Sequence, residues 1–581
     1  MQSPIEAIPE RARARSISRR SFLLLAGSTT SLVLLAACRG AAPEAPPAGT
    51  QAPPAARTVA PVTPPQAAAP AAAGPPKDGG TFRIYLHTEN APTLDPYLNI
   101  SFRTQEFAAF FYSRLLRPKK GPGIHGLAYI MEGDLAESWK MSDDGLSWTF
   151  NLRPGLKWHN KPPVNGRPLA AQDVVWSYER FTKVAPHKSF LDPIAEVTAP
   201  DERTVVIKLT DLYAPFENMI GAPYFWIMPH EVVEQDGDAS KRTVGTGPFV
   251  FDRYESGVGF FGKKNPAFHI KGEPHIDEIN ALMIPDVATQ MAGMRARELD
   301  GAEVEQQDLD ALKRSNPDIQ VVEVEYNYNP TIYWKVDQPP FNDVRVRQAV
   351  SMAVNRDELI TATFDGRGGW NAAINWALAD WHLDPKGPDF GPNAKYFKYD
   401  PAESRKLLAA AGYPDGLKID MISSPGYGQV FVSRVEIVHQ SLKNAGIEAT
   451  IKMQEYSSYI STTFLGKFEG GNVLVFGPKG NFNEPHEFLF QHFHSKGSRN
   501  SASVNDPKLD EMIDKQARTM DKADRKRQIY DIQRYLAEQM YYVPTVAGFR
   551  SMAYQPYVRD AYPRSDFGLG SEVIPKIWLD K

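Results

Sequence analysis

The chain has 581 residues, with 65 lysines and arginines against 69 aspartates and glutamates, and its formal net charge is −4. This balance does not favour nucleic-acid binding, which requires a basic face. A chain of this length exceeds what one hydrophobic core fills, and two or three domains are therefore expected.

The N-terminal segment is predicted to be an export signal. Residues 22–37 are mostly apolar, but Gly27 and neighbouring hydroxyl residues interrupt them. A membrane-spanning helix needs about 20 predominantly apolar residues, which this stretch does not supply. A short apolar stretch behind basic residues is instead typical of a secretory signal peptide.

Two short motifs refine this interpretation. Residues 18–23, which include Arg19 and Arg20, resemble the twin-arginine export motif, and the tetrapeptide ending at Cys38 resembles the bacterial lipobox. The resemblance implies that residues 1–38 are a lipoprotein signal peptide ending at a lipidated Cys38, the only cysteine of the chain. The protein would then be anchored by lipid outside the cell membrane or in the periplasm. The other interpretation is a buried structural cysteine beside a signal anchor.

Residues 39–80 are predicted to form a disordered linker. They consist largely of Ala, Pro, Gly and Thr and contain no aromatic residue, leucine or isoleucine. Such a segment buries too little apolar surface to offset the entropy of ordering. Its prolines favour an extended conformation that would hold the folded body away from the membrane.

The rest of the chain mixes strand and helix patterns, which predicts an α/β body of several domains. Alternating apolar residues predict strands at 81–86, 146–152 and 204–209, the second of them in a hairpin behind the turn residues Asp143, Asp144 and Gly145. Apolar residues at helical spacing and capping residues predict helices at 344–360, 401–411, 509–517 and 529–540.

Several segments, taken together and in order, resemble the extracellular solute-binding protein family 5, the cluster C binding proteins of peptide and nickel importers. The resemblance extends over nearly the whole chain after the linker. The segments are Thr93-Leu94-Asp95-Pro96, residues 135–139, residues 144–153, residues 171–177, residues 244–249, residues 264–266, residues 340–349, residues 401–403 and residues 411–413.

The resemblance implies an α/β periplasmic-binding-protein fold of type II, with two lobes around a hinge and an additional domain inserted in the first lobe. The implied boundaries are 80–123, 213–325 and 541–581 for lobe I, 124–212 for the inserted domain, and 326–540 for lobe II. A solute held between the lobes would shift the population toward a closed form.

The implied function is capture of a peptide-like or other small organic solute by a monomer, which delivers it to an ABC permease and its ATPase without a cofactor. The sequence does not name the solute. An exported, lipid-anchored hydrolase is the alternative from another class, but the chain has no Gly-x-Ser-x-Gly motif, and its one cysteine is assigned to the anchor. A solute sensor of the same fold without transport is the third.

The resemblance also places a candidate ligand contact in lobe II. In peptide-binding members, an aspartate ahead of an Asn-Glu-Pro segment receives the ammonium group of the ligand, and a tryptophan lies three residues before it. Here Asn481 and Pro478 stand at these positions. An amide lacks the charge of a carboxylate, so the charge-assisted hydrogen bond to the ammonium group of an ordinary peptide is lost. Glu484 can supply a substitute carboxylate, and Lys479 is either a contact for an anionic group or a solvated loop lysine.

Aromatic residues are the other expected lining of a solute cleft. Tyr97, Trp376 and Trp381 are the candidates because they lie in loop-like surroundings, and core packing is the alternative for each. The histidines at positions 486, 492 and 494 are close in sequence, but on a helix they would point in different directions. No metal site is therefore predicted.

Overall fold

The computed structural model describes residues 74–87, 90–124, 127, 130–480, 482–562 and 572–581. The export and lipidation motifs with Arg19, Arg20 and Cys38 lie outside the described residues, as does Asn481. In the ranges that are described, no helix combines the length and the apolar character needed to cross a membrane.

Strands and helices alternate irregularly along the chain. The strands are β1 (Thr81–His87), β2 (Leu116–Pro118), β3 (Met131–Gly133), β4 (Ala136–Met141), β5 (Ser147–Leu152), β6 (Ile194–Asp201), β7 (Thr204–Leu209), β8 (Phe249–Glu255), β9 (Gly259–Lys264), β10 (Glu278–Met283), β11 (Gly301–Glu303), β12 (Gln320–Glu325), β13 (Asn329–Tyr333), β14 (Gly369–Trp370), β15 (Leu417–Ser423), β16 (Ile447–Met453), β17 (Val473–Lys479), β18 (Val543–Pro544), β19 (Val546–Ala547), β20 (Phe549–Tyr554), β21 (Val558–Arg559) and β22 (Trp578–Leu579). The helices are α1 (Phe102–Phe111), α2 (Ala171–Val184), α3 (Phe216–Gly221), α4 (His230–Asp236), α5 (Val287–Arg295), α6 (Gln306–Ser315), α7 (Val344–Ala353), α8 (Arg356–Phe364), α9 (Pro401–Ala410), α10 (Gln429–Asn444), α11 (Tyr456–Ser461), α12 (Pro485–Phe493), α13 (Pro507–Arg518) and α14 (Lys522–Gln539).

A seven-stranded mixed sheet combines the beginning, the middle and the end of the described chain. Its strand order is β12-β20-β11-β1-β10-β9-β8. β1 runs parallel to β10 and β11, whereas the other neighbours are antiparallel. Phe82 and Ile84 of β1 are completely buried, because alternate residues of a strand point to the same face.

A five-stranded sheet has the order β16-β15-β17-β13-β18. β15 alternates apolar residues on its inner face, as expected for a strand with one buried face. β17 is buried along its whole length, and its run of Val473 to Phe476 suits a central strand that is covered on both faces.

A four-stranded antiparallel sheet of order β4-β5-β7-β6 is built entirely from residues 136–209. Trp148, Phe150 and Leu152 of β5 are buried, and Asp144 accepts a hydrogen bond from the Leu146 backbone N–H in the turn before that strand. The hairpin predicted here is confirmed, and its strand begins one residue later than predicted.

Two of the helix predictions have different outcomes. The predicted helix at 401–411 is observed as α9, with the Asp400 side chain accepting from the Glu403 backbone N–H at 2.8 Å. The prediction of one helix over 344–360 is wrong, because two helices, α7 and α8, occupy this stretch. The Asn355 side chain accepts from the Glu358 N–H at 3.1 Å and so caps a second helix where continuous periodicity predicted one.

Two chain segments connect the seven-stranded sheet with the five-stranded sheet. Residues 326–328 lead from β12 to β13, and residues 545–548 lead from β18 to β20. The segments are bonded to each other, since the Tyr326 N–H donates to the Gly548 carbonyl at 3.0 Å. These two crossing segments are the connection about which the sheets can move relative to each other.

Candidate functional site

The candidate site is the region beside the crossing segments that we call the cleft: here α1 and Glu305, just before α6, approach α10, α11 and the loop before α10. At one point the cleft is bridged by Arg103. Its guanidinium donates to the Gly426 carbonyl at 2.6 Å and lies 3.9 Å from the centre of the Tyr456 ring. The Ser101 and Tyr456 hydroxyl groups lie 3.2 Å apart beside this contact. These contacts hold the two sheets together in the conformation that we describe.

Two stacked tyrosines lie on a crossing segment at the base of the cleft. The rings of Tyr326 and Tyr328 are 4.9 Å apart and nearly parallel, and burial raises the pKa of both phenols. The guanidinium of Arg434, from α10, lies 5.5 Å from the Tyr328 ring centre. An aromatic floor with a few charged groups above it is typical of sites that bind small organic molecules.

Glu305, immediately before α6, is a carboxyl group of this cleft that has no ion-pair partner among the described residues. Burial raises its pKa to about 7, and the nearby Glu303 contributes in the same direction, whereas Arg434 acts against the shift. The neutral form of Glu305 is therefore favoured in the folded chain at pH values below about 7. Raised carboxyl pKa values at clefts are a common property of functional sites.

Glu305→Gln is expected to stabilise the protein at pH 8 but not at pH 4. The folded pKa of about 7 lies above the ordinary value of 4.5, so the folded chain binds the proton more tightly than the unfolded chain. Ionisation of Glu305 thus lowers the free energy of unfolding as pH rises from about 4.5 to 7, by at most about 3 kcal/mol. Urea unfolding at both pH values measures the gain. Glu298→Gln, at an exposed position, is the matched control, and an equal effect of Glu305→Gln at both pH values would contradict the assignment.

The loop between β17 and α12 is fixed to the first crossing segment by asparagines. Asn327 is completely buried, and its amide donates to the Phe482 carbonyl at 2.7 Å and to Asn483 Oδ1 at 2.9 Å. Phe482 and Asn483 therefore lie beside the first crossing segment. Since Asn481 itself lies outside the described residues, its contact with a ligand stays a prediction.

Glu484 is enclosed in a buried ion pair. Its carboxylate accepts from the His486 N–H at 2.8 Å at the start of α12, and both of its oxygens are bound by the guanidinium of Arg525, with Oε2 at 3.2 Å from Nη1. The Arg525 guanidinium also lies 5.1 Å from the centre of the Trp381 ring, so the structure brings Glu484 and Trp381 together. Because the carboxylate is already paired, we leave both residues out of the proposed ligand site; their role in binding stays a prediction.

Lys479 is the last residue of β17 and is 2% exposed. Its ammonium lies 3.5 Å from the centre of the Tyr333 ring and donates to Ser501 Oγ at 2.7 Å. Burial lowers the pKa of this group well below its ordinary value. The alternative of a solvated loop lysine is therefore wrong, while a contact with an anionic ligand stays a prediction.

The remaining aromatic candidates lie apart from each other. Tyr97 is completely buried, packs edge-on against Phe181 at 5.0 Å and donates its hydroxyl to the Trp226 carbonyl. Trp376 packs against Phe549 at 5.7 Å, near the second crossing segment. The structure therefore does not bring Tyr97 and Trp376 together, and their contact with a ligand stays a prediction.

The histidines at 486, 492 and 494 have different surroundings. His486 is hydrogen-bonded to Gln516, His492 Nδ1 lies 3.2 Å from the Arg499 carbonyl, and His494 lies between Asp510 and Asp514. Among the residues that the structure describes, no group of three His, Cys, Asp or Glu side chains is arranged to hold a metal ion.

Comparison with known proteins agrees with this arrangement of sheets and cleft. The family model of the bacterial extracellular solute-binding proteins, family 5 Middle, matches residues 131–500. Heme-binding protein A of Haemophilus influenzae is 27% identical over 489 residues, which is 79% of this chain and 85% of that protein. Di/tripeptide-binding protein 1 of Pseudomonas aeruginosa is 29% identical over 475 residues, 75% of this chain and 84% of that protein.

A solved structure extends the comparison to the fold. The ABC transporter-associated periplasmic binding protein DppA from Helicobacter pylori, in complex with the peptide STSA, matches with a TM-score of 0.76 and 22% identity, over 87% of this chain and 99% of that chain. The fold is thus the two-lobed fold of periplasmic binding proteins. The chain belongs to the bacterial extracellular solute-binding proteins of family 5. Both the fold class and the family predicted from the sequence are confirmed.

Proposed function

We propose that this protein captures a peptide-like or other small organic solute between its two lobes and delivers it to the permease and ATPase of an ABC importer. The observation that carries the proposal is the cleft beside two crossing segments, with the aromatic floor of Tyr326 and Tyr328. Peptide-like ligands are supported by relatives whose names include di- and tripeptide-binding proteins. The energy comes from contacts with the solute and not from making or breaking bonds, so we propose no catalytic activity.

We propose the lobe boundaries that the family resemblance implies, with residues 80–123, 213–325 and 541–581 in lobe I, 124–212 in the inserted domain, and 326–540 in lobe II. The strand composition of the seven-stranded and four-stranded sheets supports this division. One boundary departs from this division: β18 lies in the range 541–581 but pairs with β13 of the five-stranded sheet, so we propose that lobe II extends through β18 to the crossing segment at residues 545–548.

Closure of the lobes on the solute supplies the physical basis of the proposal. A solute that contacts both lobes only in the closed form stabilises that form by its differential affinity. A micromolar dissociation constant corresponds to about −8 kcal/mol, which is sufficient to bias two conformations that differ by a few kcal/mol. The permease would distinguish the closed form from the open form.

A solute screen tests the proposed function. The protein should unfold at a higher temperature when its solute is present, because a ligand that binds only the native state stabilises it by mass action. Peptides, sugars, amino acid conjugates and metal chelates form the panel. Tight binding of unmodified peptides with free N-termini would contradict the inference drawn from Asn481. A sensor without transport would bind the same solute, but deletion of the cognate permease would then leave the cellular response unchanged.

Cys38→Ser is expected to release the protein from the membrane fraction, because we propose that Cys38 carries the lipid anchor of a monomeric, twin-arginine-exported lipoprotein. Two acyl chains anchor a protein stably, whereas the unmodified body has no such attachment. Cell fractionation and labelling with radioactive palmitate measure both effects. Retention of an unlabelled variant in the membrane would indicate a membrane-spanning segment instead. The Arg19→Lys, Arg20→Lys variant, with Cys38 intact, is expected to lose export.

A further inference from the structure

Arg499 is a buried cation at the junction of the two lobes. It lies in the connection between α12 and α13 and is 3% exposed. Its guanidinium carbon lies 5.1 Å from the ring centre of Tyr224, which precedes α4, and 5.0 Å from the ring centre of Phe482, in the loop after β17. The side chain therefore lies where Tyr224, in the range proposed for lobe I, meets Phe482, in the range proposed for lobe II.

The guanidinium of Arg499 has no hydrogen-bond or ion-pair partner among the residues that the structure describes, and its Nε is completely buried. Its backbone, in contrast, is firmly held: the Arg499 N–H donates to the Gln491 carbonyl at 3.0 Å, and the Arg499 carbonyl accepts from the Ser501 N–H at 2.8 Å. A fixed backbone holds the side chain in place. A buried guanidinium without acceptors is costly, and it is rare in folded proteins unless a ligand supplies them.

Arg499 lies close enough to a lysine and a histidine to affect their pKa values. Burial lowers the pKa of Lys479 well below its ordinary value, and the only charged groups that add to this shift are Arg499 and Lys335. Burial likewise lowers the pKa of His187, with Arg499 as the one charged contributor. Neither group has a carboxylate that offsets these effects. Both shifts therefore reflect the positive charge of Arg499 in addition to burial.

Gly480 leaves room for the Arg499 guanidinium because it has no side chain. A Cβ atom added to Gly480 would lie 2.6 Å from Arg499 Nη1 and 2.7 Å from the Phe482 ring. A side chain at position 480 would therefore displace the guanidinium. This provides a way to move the positive group without removing its charge.

We propose that Arg499 receives an oxyanion of the solute, a carboxylate or a phosphate, at the junction of the lobes. The planar guanidinium fork matches the geometry of two oxyanion oxygens, and its position at the junction means that the bound anion is enclosed as the lobes close. The inference deepens the proposed function and rests on it, because it assigns the chemical class of the solute. The solute of this protein is therefore an anion or a zwitterion.

Anion titrations of the full-length protein test the site without knowledge of the solute. Sodium acetate and sodium phosphate, each at constant ionic strength against sodium chloride, are the probes, and the thermal unfolding midpoint is the readout. We expect a saturable increase for wild type with acetate if the site takes carboxylates, or with phosphate if it takes phosphates. Arg499→Gln is expected to weaken the apparent affinity at least about tenfold, the effect of losing charge-assisted hydrogen bonds.

Three further variants separate binding from folding. Without added anion, Arg499→Gln is expected to unfold at a midpoint no lower than wild type, because an unpaired buried cation is removed. Gly480→Ala is expected to weaken anion binding with all charges kept, and Arg499→Lys to retain part of it. Arg314→Gln, at an exposed position on α6, is the matched control and should behave as wild type. Three outcomes would overturn the proposal. They are an Arg499→Gln variant that does not fold, equal responses of wild type and Arg499→Gln to the anions, and no saturable response in wild type.

A pair of organic probes distinguishes failure of this site from failure of solute capture. N-acetyl-tri-alanine and its C-terminal amide differ only in the anionic group and lack a free N-terminus, and calorimetry measures the binding of both. Suppose that solutes of the panel bind and the lobes close, but that acids bind wild type and Arg499→Gln with equal affinity. The inference about Arg499 is then wrong, and solute capture stands. If acetate or phosphate binds at Arg499 and no solute closes the lobes, the anion site stands and the proposed function is wrong.

Discussion

Glu484→Gln is expected to lower the free energy of unfolding by about 3–5 kcal/mol, because it leaves the buried Arg525 guanidinium without its carboxylate. Glu484 is 1% exposed and binds Arg525 through both oxygens. It also caps α12 through the His486 N–H. Urea unfolding measures the loss, and Glu511→Gln, at an exposed position on α13, is the matched control.

The same variant separates two roles for Glu484. If its carboxylate held the ammonium of a solute instead, Glu484→Gln would weaken solute binding and leave the unfolding free energy nearly unchanged. Glu484→Gln combined with Arg525→Met is expected to recover part of the stability, because the unpaired cation is then removed as well. A double variant no more stable than Glu484→Gln would contradict the ion-pair explanation.

Asp95→Asn is expected to destabilise the protein by a similar amount, about 3–5 kcal/mol, since it leaves the buried Arg180 unpaired. Asp95 is completely buried, and its Oδ2 lies 2.5 Å from Arg180 Nη2 on α2. The carboxylate also accepts from the Tyr97 and Ala239 backbone N–H groups at 3.0 and 2.9 Å. It therefore joins three separate segments of the chain.

Thermal and urea unfolding measure the effect of Asp95→Asn. The matched control is Asp143→Asn, because Asp143 lies in an exposed turn. A change below about 1 kcal/mol would mean that Asp95 and Arg180 are not a buried pair in solution. The result bears on the Thr93-Leu94-Asp95-Pro96 segment by which the family was recognised. In this protein, the aspartate of that segment stabilises the fold and does not face the cleft.

Secondary structure could be predicted where the signal is local. Alternation over residues 146–152 and the Asp400 cap of α9 depend only on neighbours in sequence, and both predictions agree with the structure. The break between α7 and α8 was not predictable from periodicity, because apolar residues continue across it. Its signal was the side chain of Asn355, a residue type that favours helix caps over helix interiors.

The site was less predictable, because its residues are brought together only by the fold. Arg103, Glu305, Arg434 and Arg499 come from four distant stretches, and none lies in a motif whose spacing indicates a function. Lys479 was expected in a solvated loop or at a ligand, yet its surroundings are set by Tyr333 and Ser501 from other segments. Tyr326 and Tyr328 had a local signal, two aromatic residues at strand spacing directly after β12.

Solution X-ray scattering of the full-length protein, with and without a saturating solute from the screen, tests lobe closure most directly. We expect a smaller radius of gyration with the solute, because the lobes move about the crossing segments to enclose it. Arg103→Ala, which removes the contact with Gly426 across the cleft, should enlarge the radius of the free protein. An identical scattering curve with and without a solute that raises the unfolding temperature would contradict capture by closure.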